Sequence, residues 1–433
     1  MMTSQLFALL QVADPQAPPT HFGAWLGFTL LKLIIVFTVY MVGVAMLTLA
    51  ERKISAWIQD RHGPNRVGKG WLQPAADGLK NIAKEETMPG MVNRPIFILA
   101  PALSFIPALI TWAVIPFGAP WPTRWGRVDL VLADLPVGFL YILAISSLGV
   151  YGIVLAGWSS NNKYSLLGGL RSSAQMISYE ISMGLSTIPV LMLMGNVTLT
   201  TIVANQAAGG FAWNVVTLTL SFFIFMVAAF AETNRLPFDL PEAESELIAG
   251  YHSEYSAMKF SFFFIAEYAN MVTASALMVT LFFGGWDIPF WGRDNVAPYR
   301  WWIAVLTLGA FVVKLLFFLF LFMWIRWTLP RFRYDQLMSL GWKILLPMSL
   351  AYIMVIAGAI LALNSFDIPQ GDWRFTVAML VLNAIIVVAV FGWLDRGRIV
   401  SPASSRIEAR EIAKLRQYAS RSTLVPRQQQ SGD

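Results

Sequence analysis

The sequence predicts an all-α integral membrane protein with about nine transmembrane helices, and three observations carry that prediction. Apolar residues make up 57 % of the 433 and charged residues only 13 %, about half the usual soluble share. Nine stretches reach the length needed to cross hydrocarbon, about 20 apolar residues each. The basic residues gather in connections and in the tail, with the asymmetry of a topology signal.

The nine spans cover residues 25–50, 95–117, 134–158, 166–194, 213–231, 257–283, 301–327, 343–363 and 374–394. The fourth is the least clean, because Arg171 and Glu180 interrupt it. They divide the chain into an outer N-terminal segment (1–24), a polytopic membrane domain (25–394) and a polar, basic tail (395–433). Nine crossings put the termini on opposite sides. With the N-terminus outside, 24 of the 31 basic residues lie inside, 5 lie outside, and Lys32 and Lys314 fall within spans. The positive-inside rule therefore predicts an outer N-terminus and a cytoplasmic C-terminus. Trp112, Trp121, Trp125, Trp286, Trp291, Trp301 and Trp302 sit at span ends, as an interfacial belt requires. Lys32 lies a turn or two from the outer end and is expected to snorkel to the interface.

Composition also excludes chemistry. The chain has no cysteine, which removes disulfides, thiolate metal sites and iron–sulfur clusters. Its histidines are His21, His62 and His252, none paired at metal-ligand spacing, so neither a metal nor a haem held by two histidines is expected. Were the chain to take part in redox chemistry, the electrons would have to come from a partner. The net charge of +6 carries no basic-aromatic module, which argues against nucleic acid. No signal peptide is expected either, since the N-terminus lacks a basic segment followed by a short apolar run.

The connections carry the informative residues. The first inner loop begins "AERKISAWIQDRHGPN", extending span one with charge before a Gly-Pro-Asn turn. In "WLQPAADGLKNIAKEE", Leu72, Ala75, Ala76, Leu79, Ile82 and Ala83 share one helical face, with Asp77, Lys80, Asn81 and Lys84 opposite. That pattern predicts an amphipathic helix, in its simplest reading an interfacial anchor. Seven of the 25 acids then lie between residues 232 and 267: Glu232, Asp239, Glu242, Glu244, Glu246, Glu254 and Glu267. A solvated acidic loop is the ordinary explanation. Against it, Asp239, Glu242, Glu244 and Glu246 alternate with apolar or small residues, and Glu232 and Glu267 lie in or beside spans. A carboxylate in hydrocarbon costs a few kcal/mol or more and is kept where it faces a bundle interior or a water path; crowded carboxylates suit proton relay. Glu180, mid-way along span four, needs a partner from another helix, and Lys314 is a candidate partner or a separate relay site. Arg326, Arg331, Arg333 and Asp335 form a compact charged loop after span seven, ordinary for an inner connection.

Four segments together, "AERKISAWIQDRHGPNRVGKGWLQPAADGLKNIAKE", "RSSAQMISYE", "AETNRLPFDLPEAESELIAGYHSEYS" and "RYDQLMSLGWK", resemble the signature blocks of the H subunit of bacterial NADH-quinone oxidoreductase (respiratory complex I), the counterpart of mitochondrial NADH dehydrogenase subunit 1. The resemblance covers roughly residues 25–365. It implies a membrane subunit with no redox cofactor of its own and quinone as substrate, joining the electron-carrying arm to the membrane arm in the bacterial inner membrane. The implied partners are the iron–sulfur subunit beside the quinone site, small membrane subunits, antiporter-like subunits and the lipid bilayer. By position in these blocks, Glu51, Arg52, Asp77 and Arg326 would line or brace a charged quinone tunnel. Span one, the amphipathic helix and span six would form its apolar walls. Glu180, Glu232, Asp239, Glu242, Glu244, Glu246 and Glu267 would form the proton-coupling route. Two features depart from the family's eight-span core, namely the ninth span and the arginine-rich tail. A homologous membrane subunit of a hydrogenase or of an F420-type dehydrogenase is the nearest alternative. A stand-alone transporter fits less well, because the polar residues concentrate in two inner loops instead of in matched broken helices.

Overall fold

The structure is a computed structural model that describes residues 22–208, 213–239, 250–289, 291–292, 299–368 and 372–394. Among these residues, eight helices are long and apolar enough to cross a membrane. The first, α1 (Phe22–Ile58), runs unbroken through 37 residues, including the charged Glu51-Arg52-Lys53. A short surface helix, α2 (Gln73–Ala83), follows, with Pro74 in its first turn, where a missing N–H costs nothing. Then come α3 (Arg94–Ile110), α4 (Gly138–Ser159) and α5 (Lys163–Met194).

After α6 (Leu199–Ala208) the fifth apolar stretch departs from expectation. A four-residue turn, Asn214–Thr217, breaks at Leu218, and the helix proper, α7, is only Thr219–Glu232. Fourteen residues rise about 21 Å, short of the roughly 30 Å hydrocarbon thickness. The remaining long helices are α8 (Ala257–Phe282), α9 (Trp301–Thr328), α10 (Tyr334–Ser365) and α11 (Trp373–Leu394). Within α10, residues Gly341–Leu345 form a π-helical turn. Met1–Met379 form one compact unit and Leu380–Asp433 a second, of which the end of α11 is described. The tail lies outside the described residues.

One element was not expected at all. Between α3 and α4 the chain forms an antiparallel hairpin of β1 (Gly118–Thr123) and β2 (Gly126–Leu130). Lys32 belongs to it rather than to the interface. Its ammonium donates to the carbonyls of Asp129 and Val131 at 3.1 and 2.8 Å, so the expected snorkelling gives way to a fixed tie.

Helix packing relies on small residues, as it must where lipid removes the hydrophobic drive between helices. A Cβ on Gly152 of α4 would come within 2.2 Å of the Ser104 hydroxyl and 2.9 Å of the Ala100 carbonyl on α3. On α5, a Cβ on Gly168 would lie 2.8 Å from Gly250 Cα and from Tyr251 N. That second approach seats the turn Gly250–His252 just ahead of α8. Two buried tyrosines bond helix to helix: Tyr40 of α1 donates to the Ala269 carbonyl of α8 at 2.9 Å, and Tyr179 of α5 to the Leu337 carbonyl of α10 at 2.9 Å.

A charged cavity and a chain of buried acids

Where α1, α8 and α9 meet at one end of the bundle, four charged side chains and a tyrosine interlock. Glu51 of α1 is only 6 % exposed. It is ion-paired with Arg326 of α9 and accepts a hydrogen bond from Tyr268 of α8. Arg235, in the turn after α7 and 4 % exposed, binds two carboxylates at once: Nη1 lies 3.4 Å from Glu51 Oε2, and Nε lies 2.6 Å from Glu267 Oε1. Its guanidinium stacks 4.2 Å above the Tyr268 ring. Burial alone would lower the Arg235 pKa, but Glu267, Tyr268 and Glu51 hold it above the ordinary arginine value. Charges this deep persist because each has a partner; removing one partner from such a pair costs about 3–5 kcal/mol.

These residues back a cavity of about 390 Å³. Arg235, Asp239, Glu267, Arg326 and Arg331 supply its polar wall, and Tyr251, Phe260, Phe263, Phe264 and Trp327 its aromatic wall. Phe260, Phe263, Phe264 and Glu267 are spaced i, i+3, i+4 and i+7, so α8 presents them on one stripe. Arg331 lies 3.2 Å from Asp239, which ties the loop after α9 to the turn after α7. Glu51 braces the wall from behind, through Arg235 and Arg326. The apolar lining comes from α8, the turn before it and the end of α9. α1 and α2, expected to share that role, contribute no described lining residue.

Gln175 of α5 fixes the turn that carries Arg235. Its Nε2 donates to the carbonyls of Ala231 and Phe238 at 2.9 and 2.8 Å and to Asn234 Oδ1 at 3.2 Å. That amide supplements the backbone bonds here, since the Ala231 carbonyl also accepts from Asn234 N at 3.4 Å, and it helps satisfy buried carbonyls.

Behind the cavity, a second space of about 30 Å³ lies between Glu267 and Glu232, bordered also by Ser104, Asn234 and Asn270. It is roomy enough for one ordered water. Glu232 bonds Ser146 and lies beside Glu180, and Glu180 accepts from Ser147. The partner that Glu180 needed is thus Ser147 on α4, next to the serine that bonds Glu232. Lys314 is elsewhere: its ammonium donates to the carbonyls of Phe283, Gly285 and Asp287 at 2.7, 3.1 and 2.6 Å, just past the end of α8, and lies 4.2 Å from the Trp213 ring centre. That corrects the pairing of Lys314 with Glu180, because the ammonium caps carbonyls at the far end of α8.

Of the remaining candidates, Arg52 and Asp77 pair at 2.8 Å and join α1 to α2, with Arg52 48 % exposed. Neither is among the described residues that line the cavity. Glu242, Glu244 and Glu246 lie outside the described residues. Arg235 and Tyr268 were missed by sequence reasoning. Arg235 stands inside the block "AETNRLPFDL", between two acids of the candidate route, and that flanking was the available signal.

The sequence profile of the family described as NADH dehydrogenase matches residues 31–357. The H subunit of NADH-quinone oxidoreductase from Leptospira biflexa is 52 % identical over 335 residues, 75 % of this chain and 92 % of that protein. NADH-ubiquinone oxidoreductase chain 1 of Chondrus crispus is 52 % identical over 336 residues, 77 % of this chain and 97 % of that protein. The corresponding H subunit from Frankia alni is 49 % identical over 406 residues, 92 % of this chain and 85 % of that protein. A match that long necessarily takes in most of α11.

Proposed function

From a chain that belongs to the NADH dehydrogenase family, with the H subunits of NADH-quinone oxidoreductase as its kind, we propose that it forms the quinone access tunnel of that membrane complex and the start of its proton-coupling route. The observation that carries this reading is the cavity itself. An aromatic lining suits a flat, greasy ring, and the same cavity is lined by three arginines and two carboxylates. Arginine keeps its charge throughout and donates in a fixed fork, so Arg326 is suited to polarise a quinone oxygen while it neutralises Glu51. The electrons come from the iron–sulfur partner subunit.

In this reading, quinone reduction adds negative charge or draws protons at the cavity. Glu267 feels that change first, through Arg235. The small space beside Glu232 then leads to Glu180, with Asp239 on the cavity side; Glu242, Glu244 and Glu246 would join the same route. Coupling of this kind is a free energy shared between two sites; small membrane subunits and antiporter-like subunits would take up the response. Arg52 and Asp77 hold α2 against α1. The protein sits in the bacterial inner membrane with its N-terminus outside and its tail cytoplasmic, as the distribution of basic residues favours.

The test uses the whole complex in membranes. Glu51→Gln and Arg326→Met should each raise the KM for a short-tailed quinone at least tenfold. NADH oxidation by ferricyanide, a soluble acceptor that needs no membrane cavity, should persist. Unchanged quinone kinetics in both variants would overturn the reading.

A further inference from the structure

Most polar groups lining the large cavity are already engaged. Arg235 holds Glu51 and Glu267, Arg326 holds Glu51, and Arg331 holds Asp239. Asn234 accepts from Gln175 and donates to the Ser172 hydroxyl at 3.1 Å. His252 is different. It lines the same cavity and is buried, yet its contacts are aromatic: Tyr251 edge-on at 5.1 Å and Phe260 at 5.3 Å between ring centres. Among the described residues its imidazole has no hydrogen-bond partner. A buried ring with an unspent N–H calls for an acceptor.

Resting on the reading that this cavity receives quinone, we propose that His252 is the hydrogen-bond donor that positions a carbonyl oxygen of the quinone head in it. A quinone head is a flat ring bearing neutral acceptors and no donor. Phe260 and Phe264 offer it ring faces or edges from α8, and His252 offers a donor next to them. Burial pushes the His252 pKa down to about 4, so the ring stays neutral. It therefore supplies an N–H without adding a fourth positive charge to Arg235, Arg326 and Arg331. Its placement is built in, because the bare Gly168 backbone on α5 lets the Gly250–His252 turn sit close.

The experiment compares His252→Leu and His252→Gln in membranes holding the complete complex, with a short-tailed quinone as substrate and ferricyanide as the soluble acceptor. His252→Leu should raise the quinone KM roughly tenfold, the size of one lost neutral hydrogen bond, with kcat within about twofold. His252→Gln, which restores a donor, should bring KM back to within about threefold of the parent. An unaltered KM in His252→Leu, or a Gln variant no better than Leu, overturns the proposal. Should His252→Leu fail to assemble, shown by loss of ferricyanide reduction, His252→Phe keeps the aromatic packing and is read by the same two outcomes. Arg326→Met separates the levels. If it raises KM while the His252 variants do not, only the assignment of His252 falls; if neither moves KM, the quinone reading falls with it.

Discussion

Arg235 has the most at stake of any residue in the site, since it neutralises two buried carboxylates and stacks on the tyrosine that bonds one of them. Replacing it with methionine of similar length leaves Glu51 sharing only Arg326 and leaves Glu267 without its ion pair. Arg235→Met should cost about 3–5 kcal/mol, read as a lower thermal transition or poor yield of the assembled complex. Arg235→Met/Glu51→Gln should recover part of that loss, because it removes one stranded charge. No recovery would mean that the guanidinium acts through packing alone. The sequence made Glu267 conspicuous by setting charge against an apolar run, whereas Glu51 and Arg326 stood out only through the blocks that carry the family resemblance. Arg235 gave no such contrast, because an arginine at a span end is what any inner loop contains. Tyr268 was hidden for the opposite reason, as one aromatic residue among many in α8.

Elements were legible where hydropathy alone decides them. The long spans required only an unbroken apolar run, and α8 and α9 fall within a residue or so of the expected bounds. The hairpin escaped because its strands are six and five residues long, and Pro120 and Pro122 make the first read as a loop. The short α7 escaped because the window from Trp213 to Ala231 holds no charged residue and is mostly apolar, while the break at Leu218 is set by tertiary bonds. Asn214 donates to the Leu281 carbonyl at 2.8 Å, and Gln206 Oε1 accepts from Asn214 N and Gly284 N. Close approach at Gly168 is testable at this scale. Gly168→Val should push the Gly250–His252 turn away from α5, costing about 1–3 kcal/mol and lowering quinone turnover. Gly149→Ala on α4, where an added Cβ meets nothing within 4 Å, should leave both unchanged. Equal behaviour of the two variants in a thermal melt would contradict the packing described for α5.

Across the whole molecule, the acids form a series that no single element contains: Glu267 on α8, Glu232 at the end of α7 and Glu180 on α5, with serines of α4 between the last two. Glu180→Gln keeps the hydrogen-bonding shape but removes the exchangeable charge. Complexes with this change should assemble and still reduce quinone, while proton accumulation in inverted vesicles falls severalfold; normal pumping would take Glu180 out of the route. The lysine past the end of α8 bears on how such a series operates. α8 is clamped twice, by Glu267 and Tyr268 in the Arg235 cluster and by Lys314 gripping the carbonyls of Phe283, Gly285 and Asp287. Ties at both points resist sliding or tilting of the helix as a body. On the proposed reading, passage along it would then rely on swivelling side chains and rearranged water, with the helix as a stator.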